Sequence, residues 1–358
     1  MLCPNHETEK RIISQSIGIC SECIRNGLQS IAQKTHETLR VRDRLVPSVP
    51  THGSTTCDDC GNHCRLNEGD IGFCNIRIVK DGRVIDRYTD QAVVSWYFDP
   101  LPTNCVADWV CPVTSERDLG FGHKRLKNLA VFYGSCNSDC LFCQNASYRT
   151  MMAKGKPLLT PQELANAADD YTACVCYFGG DPACNPSHSL ETSRLLNEEK
   201  HVRVCYETNG NISKKWLDSI ASVVANTGGT FKFDIKAVTP EVYRTLTGVS
   251  NSVMLRNFKE LSAMKRDREG EFLVASVLLV PGYVDIPEVK RICSFIAEND
   301  TTIPTALLGF SPHHAMSDLP RTSRAHAQAA LDTANDEGLT NVRVGNLGLL
   351  GRDDYFFY

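Results

Sequence analysis

From residue 129 onward the chain repeats one unit six times: a short apolar run followed by an amphipathic stretch. The apolar runs fall at 129–133, 174–178, 202–206, 231–235, 272–280 and 305–310. None alternates strictly between apolar and polar residues, the pattern of strands covered on both faces. The stretches at 161–170, 189–200, 213–225, 239–247 with 252–267, 287–299 and 321–337 have helical spacing. Several open on capping signals: Thr160 and Pro161 with Glu163, then Ser213, then Thr239 with Pro240 and Glu241. A last apolar run, 342–344, follows the sixth helix. Alternating strand and helix implies a parallel sheet with right-handed crossovers. Six such units predict an α/β fold built on a partial (β/α)6 TIM-type barrel.

Sheets of this kind carry chemistry where their strands end. The unusual polar residues of this chain fall at those points. The first strand runs into Cys136, Cys140 and Cys143, a C-x3-C-x2-C loop. The second ends in Gly179, Gly180, Asp181 and Pro182, the third in Glu207, Thr208, Asn209 and Gly210. The fourth carries Asp234 and Lys236, the fifth ends in Pro281, Gly282 and Tyr283, and the sixth in Pro312, His313 and His314. Six coincidences in succession predict one site ringed by loops. A four-iron cluster normally takes four thiolates, so three local cysteines leave one iron open to a substrate or cofactor.

Composition narrows the rest. The chain has 358 residues, 42% hydrophobic and 22% charged, which is ordinary for a globular protein. No run of about 18 apolar residues is present, so no membrane span is expected. The first residues lack the basic and apolar regions of a signal peptide, which predicts a cytoplasmic protein. A net charge of −4, with only a short basic stretch at 123–127, argues against a nucleic-acid surface. The seventeen cysteines cluster at two- and three-residue intervals, and in a cytosolic chain such clusters indicate metal ligands.

The C-x3-C-x2-C loop and the elements after it resemble the radical S-adenosylmethionine (SAM) superfamily. Within it, the likeness is to the branch of pyruvate formate-lyase-activating enzymes and their AmmeMemoRadiSam-type relatives. Gly179, Gly180, Asp181 and Pro182 resemble that family's Gly-Gly-Glu-Pro element, with Asp in place of Glu. Thr208, Asn209 and Gly210 resemble its Thr-Asn-Gly element, and Asp234 with Lys236 its Asp-x-Lys element. Residues 341–346 resemble its closing strand, so the likeness spans about 60% of the chain. It implies a [4Fe–4S] cluster on Cys136, Cys140 and Cys143, with SAM on the open iron. Phe142 would lie beside the adenine, Asp234 on the ribose and Lys236 on the SAM carboxylate, with His313 or His314 near the ribose. One electron from flavodoxin or ferredoxin would cleave SAM to a 5′-deoxyadenosyl radical that abstracts hydrogen from a substrate. The branch suggests that this substrate is a partner protein. A small molecule or nucleic acid is the alternative, as is a non-catalytic zinc-ribbon or iron–sulfur assembly protein.

Two cysteine-rich knots precede the repeats. Cys3, His6, Cys20 and Cys23 have the spacing of a Cys3His zinc ribbon. Cys57, Cys60, Cys64 and Cys74 form a second four-ligand set, for zinc or an auxiliary iron–sulfur cluster, between which the sequence does not choose. His63 is an alternative ligand there. Asp81 and Gly82 predict a hairpin between 76–80 and 83–88. The expected division is a knot and connector at 1–50, a metal-binding module with strands at 51–128, and the radical SAM barrel at 129–358. Cys105, Cys111 and Cys184 belong to no set.

Overall fold

The computed structural model describes residues 1–114, 126–264 and 270–358. Most of the basic stretch 123–127 and the end of the helix expected at 252–267 lie outside those residues. Two short antiparallel pairs come first, β1 (Thr55–Thr56) with β2 (Arg65–Leu66) and β3 (Arg77–Lys80) with β4 (Arg83–Asp86). The turn between β3 and β4 places Asp81 and Gly82 at φ 51° and 71°, the left-handed pair that a two-residue hairpin needs.

The centre of the molecule is a nine-stranded sheet. Its strands are β5 (Ala92–Pro100), β6 (Lys127–Tyr133), β7 (Leu158–Leu159), β8 (Thr172–Gly179), β9 (Arg203–Thr208), β10 (Phe231–Asp234), β11 (Leu273–Leu279), β12 (Thr305–Gly309) and β13 (Val342–Gly345). The order is β13-β12-β11-β10-β9-β8-β6-β5-β7, so β13 and β7 are its edges. From β6 to β13 every neighbouring pair is parallel. The fold is therefore α/β with a mostly parallel central sheet. Each expected strand lies within two residues of an observed one. The helices Pro186–Lys200, Lys214–Asn226, Ile286–Asn299 and Arg324–Asp336 cross between successive strands, and Pro240–Thr247 with Ser252–Ser262 joins β10 to β11.

Three features were not legible. β5 pairs antiparallel along the whole of β6, which extends the sheet into the stretch before residue 129. Within the polar connector lies an eleven-residue helix, Ala32–Arg42. A further helix, Ser147–Lys154, follows the cysteine loop. The core between sheet and helices is filled by Leu129, Val131, Val175, Val204, Phe231, Phe233, Val277 and Leu307, all fully buried. Among the described residues no helix is long and apolar enough to cross a membrane.

Candidate active site at the strand ends

The loops after β6, β8, β9 and β10 converge on a cavity of about 170 Å³. Cys136, Cys140 and Cys143 line it together with Phe142, Gly180, Asp181, Thr208, Asn209, Asp234 and Lys236. Gln144, Asn145, Phe178, Glu207, Ser276, Leu278 and Leu308 complete the wall. Three thiols thus share one cavity, and no fourth cysteine is on its lining.

Backbone geometry explains the glycines. Gly180 has φ +62°, and a Cβ there would stand 2.2 Å from the Tyr133 carbonyl oxygen and 2.4 Å from that of Ser135. Any side chain would push β8 away from the cysteine loop. Gly179 lies behind the wall, where a Cβ would enter the Phe132 ring. The next residue, Asp181, donates its N–H to the Ser135 carbonyl at 2.9 Å. Its buried carboxylate accepts from Ala183 N (2.8 Å), Thr208 Oγ1 (2.9 Å) and Asn209 N (2.8 Å). Asp181 therefore clasps the loops after β6, β8 and β9 together. Burial pushes its carboxyl up to about 6, against the pull of those hydrogen bonds. Asn209 Nδ2 donates to Asn137 Oδ1 (2.7 Å) and Ser138 Oγ (3.0 Å), which fixes the backbone between the first two cysteines. Asn137 in turn donates to the Asn211 carbonyl at 2.9 Å and serves the loop.

A second anchor involves residues that sequence reasoning missed. Asp139, inside the cysteine loop, is fully buried. It accepts from His36 Nδ1 at 2.8 Å and Arg40 Nη1 at 3.3 Å, and pairs closely with Arg149. His36 and Arg40 stand on the helix Ala32–Arg42, and Arg149 on Ser147–Lys154. Arg40 also donates to the Phe73 carbonyl at 2.6 Å. The two unexpected helices thus hold the loop from outside. Only the mix of Arg and His in an otherwise plain connector hinted at this.

The electrostatics are asymmetric. Burial pushes the Cys136 thiol up, and the nearby Asp181 and Cys140 add to it. Burial also raises Cys140 and Cys143, opposed in both by the Lys236 ammonium. Neutral thiols are the stable state of such a pocket until a cation ionises them. Lys236 is buried, paired with Asp234, and its Nζ stands 5.6 Å from the Phe142 ring centre. The Tyr243 hydroxyl nearby is buried with no hydrogen-bond partner among the described residues. Three convergent thiols, one ammonium and an unused hydroxyl fit a cluster-bound zwitterionic ligand.

The histidines are elsewhere. His313 is exposed, and His314 lines a separate cavity of about 430 Å³ with Arg42, Asp43, Arg44 and Arg149. His314 has φ 49° and opens a short turn, His314–Met316, that carries its ring off the first wall.

The N-terminal donors behave differently from one another. Cys3, His6, Cys20 and Cys23 place all four ligand atoms within 4.8 Å of one another. His6 Nδ1 is 3.4 Å from Cys20 Sγ and 3.5 Å from Cys23 Sγ. Burial raises the Cys3 thiol, but hydrogen bonds led by His6 offset it and leave about 7. This knot seats on the loop after β11, where Ser21 N donates to the Gly282 carbonyl at 3.2 Å. Cys57, Cys60, Cys64 and Cys74 face one another at wider spacing: no three of them meet that 4.8 Å limit. His63 is exposed and turned to Asp58. Cys184 is buried against Cys74. This module touches the cysteine loop, since Asn62 Nδ2 donates to the Asn137 carbonyl at 2.8 Å.

Part of the chain is similar to known proteins. Residues 130–296 match the radical SAM superfamily. The chain is 25% identical over 305 residues to an uncharacterized protein of Methanocaldococcus jannaschii, covering 84% of each. It is 24% identical over 185 residues to the indoleacetate decarboxylase activating enzyme of Tractidigestivibacter scatoligenes, covering 49% of this chain and 56% of that one. Among solved structures, a domain of a pyruvate-formate lyase-activating enzyme from Bacteroides vulgatus is 18% identical with a TM-score of 0.40. The match covers 49% of this chain and 99% of that domain.

Proposed function

We propose, from the match of residues 130–296 to the radical SAM superfamily, that the chain is a radical SAM enzyme and generates a radical on a partner protein in the manner of an activating enzyme. The observation that carries the reading is the cavity that presents Cys136, Cys140 and Cys143, without a fourth thiol, opposite Lys236 and Asp234. In this reading the three thiolates hold a [4Fe–4S] cluster and leave one iron for SAM. When bound, cluster and SAM supply a 5′-deoxyadenosyl radical that takes a hydrogen atom from the substrate.

The protein's own residues then bind, orient and exclude water. Lys236 holds the SAM carboxylate as a compact charge, and Asp234, its partner, turns toward the ribose. Phe142 packs beside the adenine. The backbone at Gly179 and Gly180 approaches the ammonium group, while Asp181, Thr208 and Asn209 hold that backbone still. The sheet wraps the site as a partial barrel, with its unpaired edges leaving a mouth for the substrate. A partner protein fits that mouth, with the activating-enzyme relative as support. The electron comes from a flavodoxin or ferredoxin. We assign one zinc ion to Cys3, His6, Cys20 and Cys23, whose compact donor set suits a single tetrahedral ion. The wider set Cys57, Cys60, Cys64 and Cys74 suits an auxiliary iron–sulfur cluster. No cysteine among the described residues is disulfide-bonded, so each of these sulfurs is available as a metal ligand.

The test is electron paramagnetic resonance of the anaerobically reconstituted, reduced protein. Added SAM is expected to change the g values of the cluster signal. An unchanged spectrum at saturating SAM would remove the open-iron reading.

A further inference from the structure

The cavity of about 430 Å³ has no part in the radical chemistry proposed above. Arg42, Asp43 and Arg44 line it from the end of the helix Ala32–Arg42, Arg149 and Lys154 from the helix Ser147–Lys154, and His314 from the turn after β12. Its size is that of a small-ligand site, which runs from about 300 to 1,000 Å³. It adjoins the cysteine-lined cavity: Asn145 is on that wall, and Ala146, the next residue, is on this one.

The lining is strongly positive. Four cations, Arg42, Arg44, Arg149 and Lys154, stand against one carboxylate, Asp43. Burial and the Arg149 charge hold His314 down at about 4, so it adds no charge. Asp43 is already shared, with Arg42 Nε at 3.0 Å and Arg149 Nη1 at 2.8 Å. Among the described residues, Arg44 and Lys154 have no carboxylate within ion-pair distance. Setting both Asp43 and Asp139 wholly against the four cations still leaves two positive charges. A phosphate monoester carries about −1.5 to −2 at pH 7.

Helix ends account for only part of this charge. Arg42 and Lys154 fall in the last turns of their helices, where a cation complements the dipole. Arg44 lies past the end of the first helix, and Arg149 stands in the first turn of the second, the unfavourable end for a cation. Arg149 is only 4% exposed, and its Nε has no hydrogen-bond partner among the described residues; nor has His314 Nε2. Native interiors seldom leave such atoms unpaired. Guanidinium forks match phosphate oxygens two at a time, and the Thr150 hydroxyl on the same wall is a further donor.

We propose that this cavity binds the phosphoryl group of a small ligand, held by Arg44, Arg149 and Lys154 beside the cysteine loop. SAM has no phosphoryl group, so the ligand is a second one. The test uses the full-length chain, purified anaerobically in phosphate-free buffer. Inorganic phosphate, glycerol 3-phosphate and acetate are titrated by calorimetry. Both phosphates are expected to bind at one site per chain, and acetate at least about tenfold more weakly. Tighter binding of glycerol 3-phosphate supports an ester as the ligand, and equal affinity supports free phosphate. Arg44→Gln with Lys154→Gln is expected to weaken both phosphates by at least about tenfold, with iron content and thermal midpoint unchanged. No binding at millimolar phosphate would overturn the proposal, as would equal affinity for acetate or an unchanged affinity in the variant. Binding of an RNA oligonucleotide with neither small phosphate bound would also overturn it. A variant that misfolds is covered by a readout on the native chain. Phosphate is expected to protect Lys154 from acetylation, relative to chloride at equal ionic strength, read by peptide mass spectrometry. Equal labelling in the two salts would overturn the proposal.

Discussion

The knot at residues 3–23 and the loop at residues 136–143 both offer clustered cysteines, yet they are built for different guests. In the knot, four donors already lie within 4.8 Å of one another, and Cys3 and Cys23 are 3.7 Å apart. The loop's three thiols never close to that spacing; they ring a cavity whose other wall is charged and polar. A closed set suits one ion that serves structure, because no coordination position remains free. An open set needs inorganic sulfide to fill it and leaves a position for chemistry. The supports differ in the same way. The knot has its own short hairpin and helix, whereas the loop is held by Asp139 and Asp181, which bind groups from distant parts of the chain.

Four variants would break or sharpen that contrast. Replacing Cys136, Cys140 and Cys143 with alanine should abolish SAM cleavage to the protein-free level while leaving the zinc proposed for the knot in place, measured by product analysis and elemental analysis. Cys20→Ser should do the reverse: about one zinc per chain is lost and residues 1–25 open locally, seen by hydrogen exchange, with iron unchanged. If one substitution removes both metals, the two regions are not independent.

Asp139→Ala leaves Arg40 buried without its carboxylate, while Arg149 keeps only Asp43 at 2.8 Å. The expected cost is about 3–5 kcal/mol in urea unfolding, typical of breaking a buried pair by removing one partner. A loss below about 1 kcal/mol would show that the helix Ala32–Arg42 does not hold the loop.

Asp181→Asn gives a pH signature. The folded-state carboxyl is raised from 3.8 to about 6. Its stabilisation is therefore complete below about pH 4 and is lost as pH rises through about 6. Asparagine has no such proton to lose. The variant's deficit relative to the native chain should shrink by about 3 kcal/mol between pH 4 and pH 8, followed by urea midpoints. A constant deficit would mean that this carboxyl ionises normally.

Legibility in the sequence followed how local each signal is. The parallel strands from β6 to β13 were visible because each is a short apolar run bounded by a turn, and the site loops followed from where those runs stop. Thr160 with Glu163 forms the capping box that its spacing announced. The helix Ala32–Arg42 was not visible: its apolar content is low, and it is stable through His36 and Arg40 reaching a carboxylate about a hundred positions away. β5 was missed because its partner, β6, lies beyond a long intervening segment. His314 was misplaced since one left-handed residue at a turn redirects a ring without any mark in composition. Cys176, Cys205 and Lys232 come from three separate strands, and only the sheet register brings them side by side.

The most direct test is product analysis after incubating the anaerobically reconstituted chain with dithionite and SAM. Formation of 5′-deoxyadenosine and methionine, dependent on Cys136, Cys140 and Cys143, is the expected result. A fully loaded cluster that yields no 5′-deoxyadenosine would contradict the assignment of this cavity as a radical-generating site.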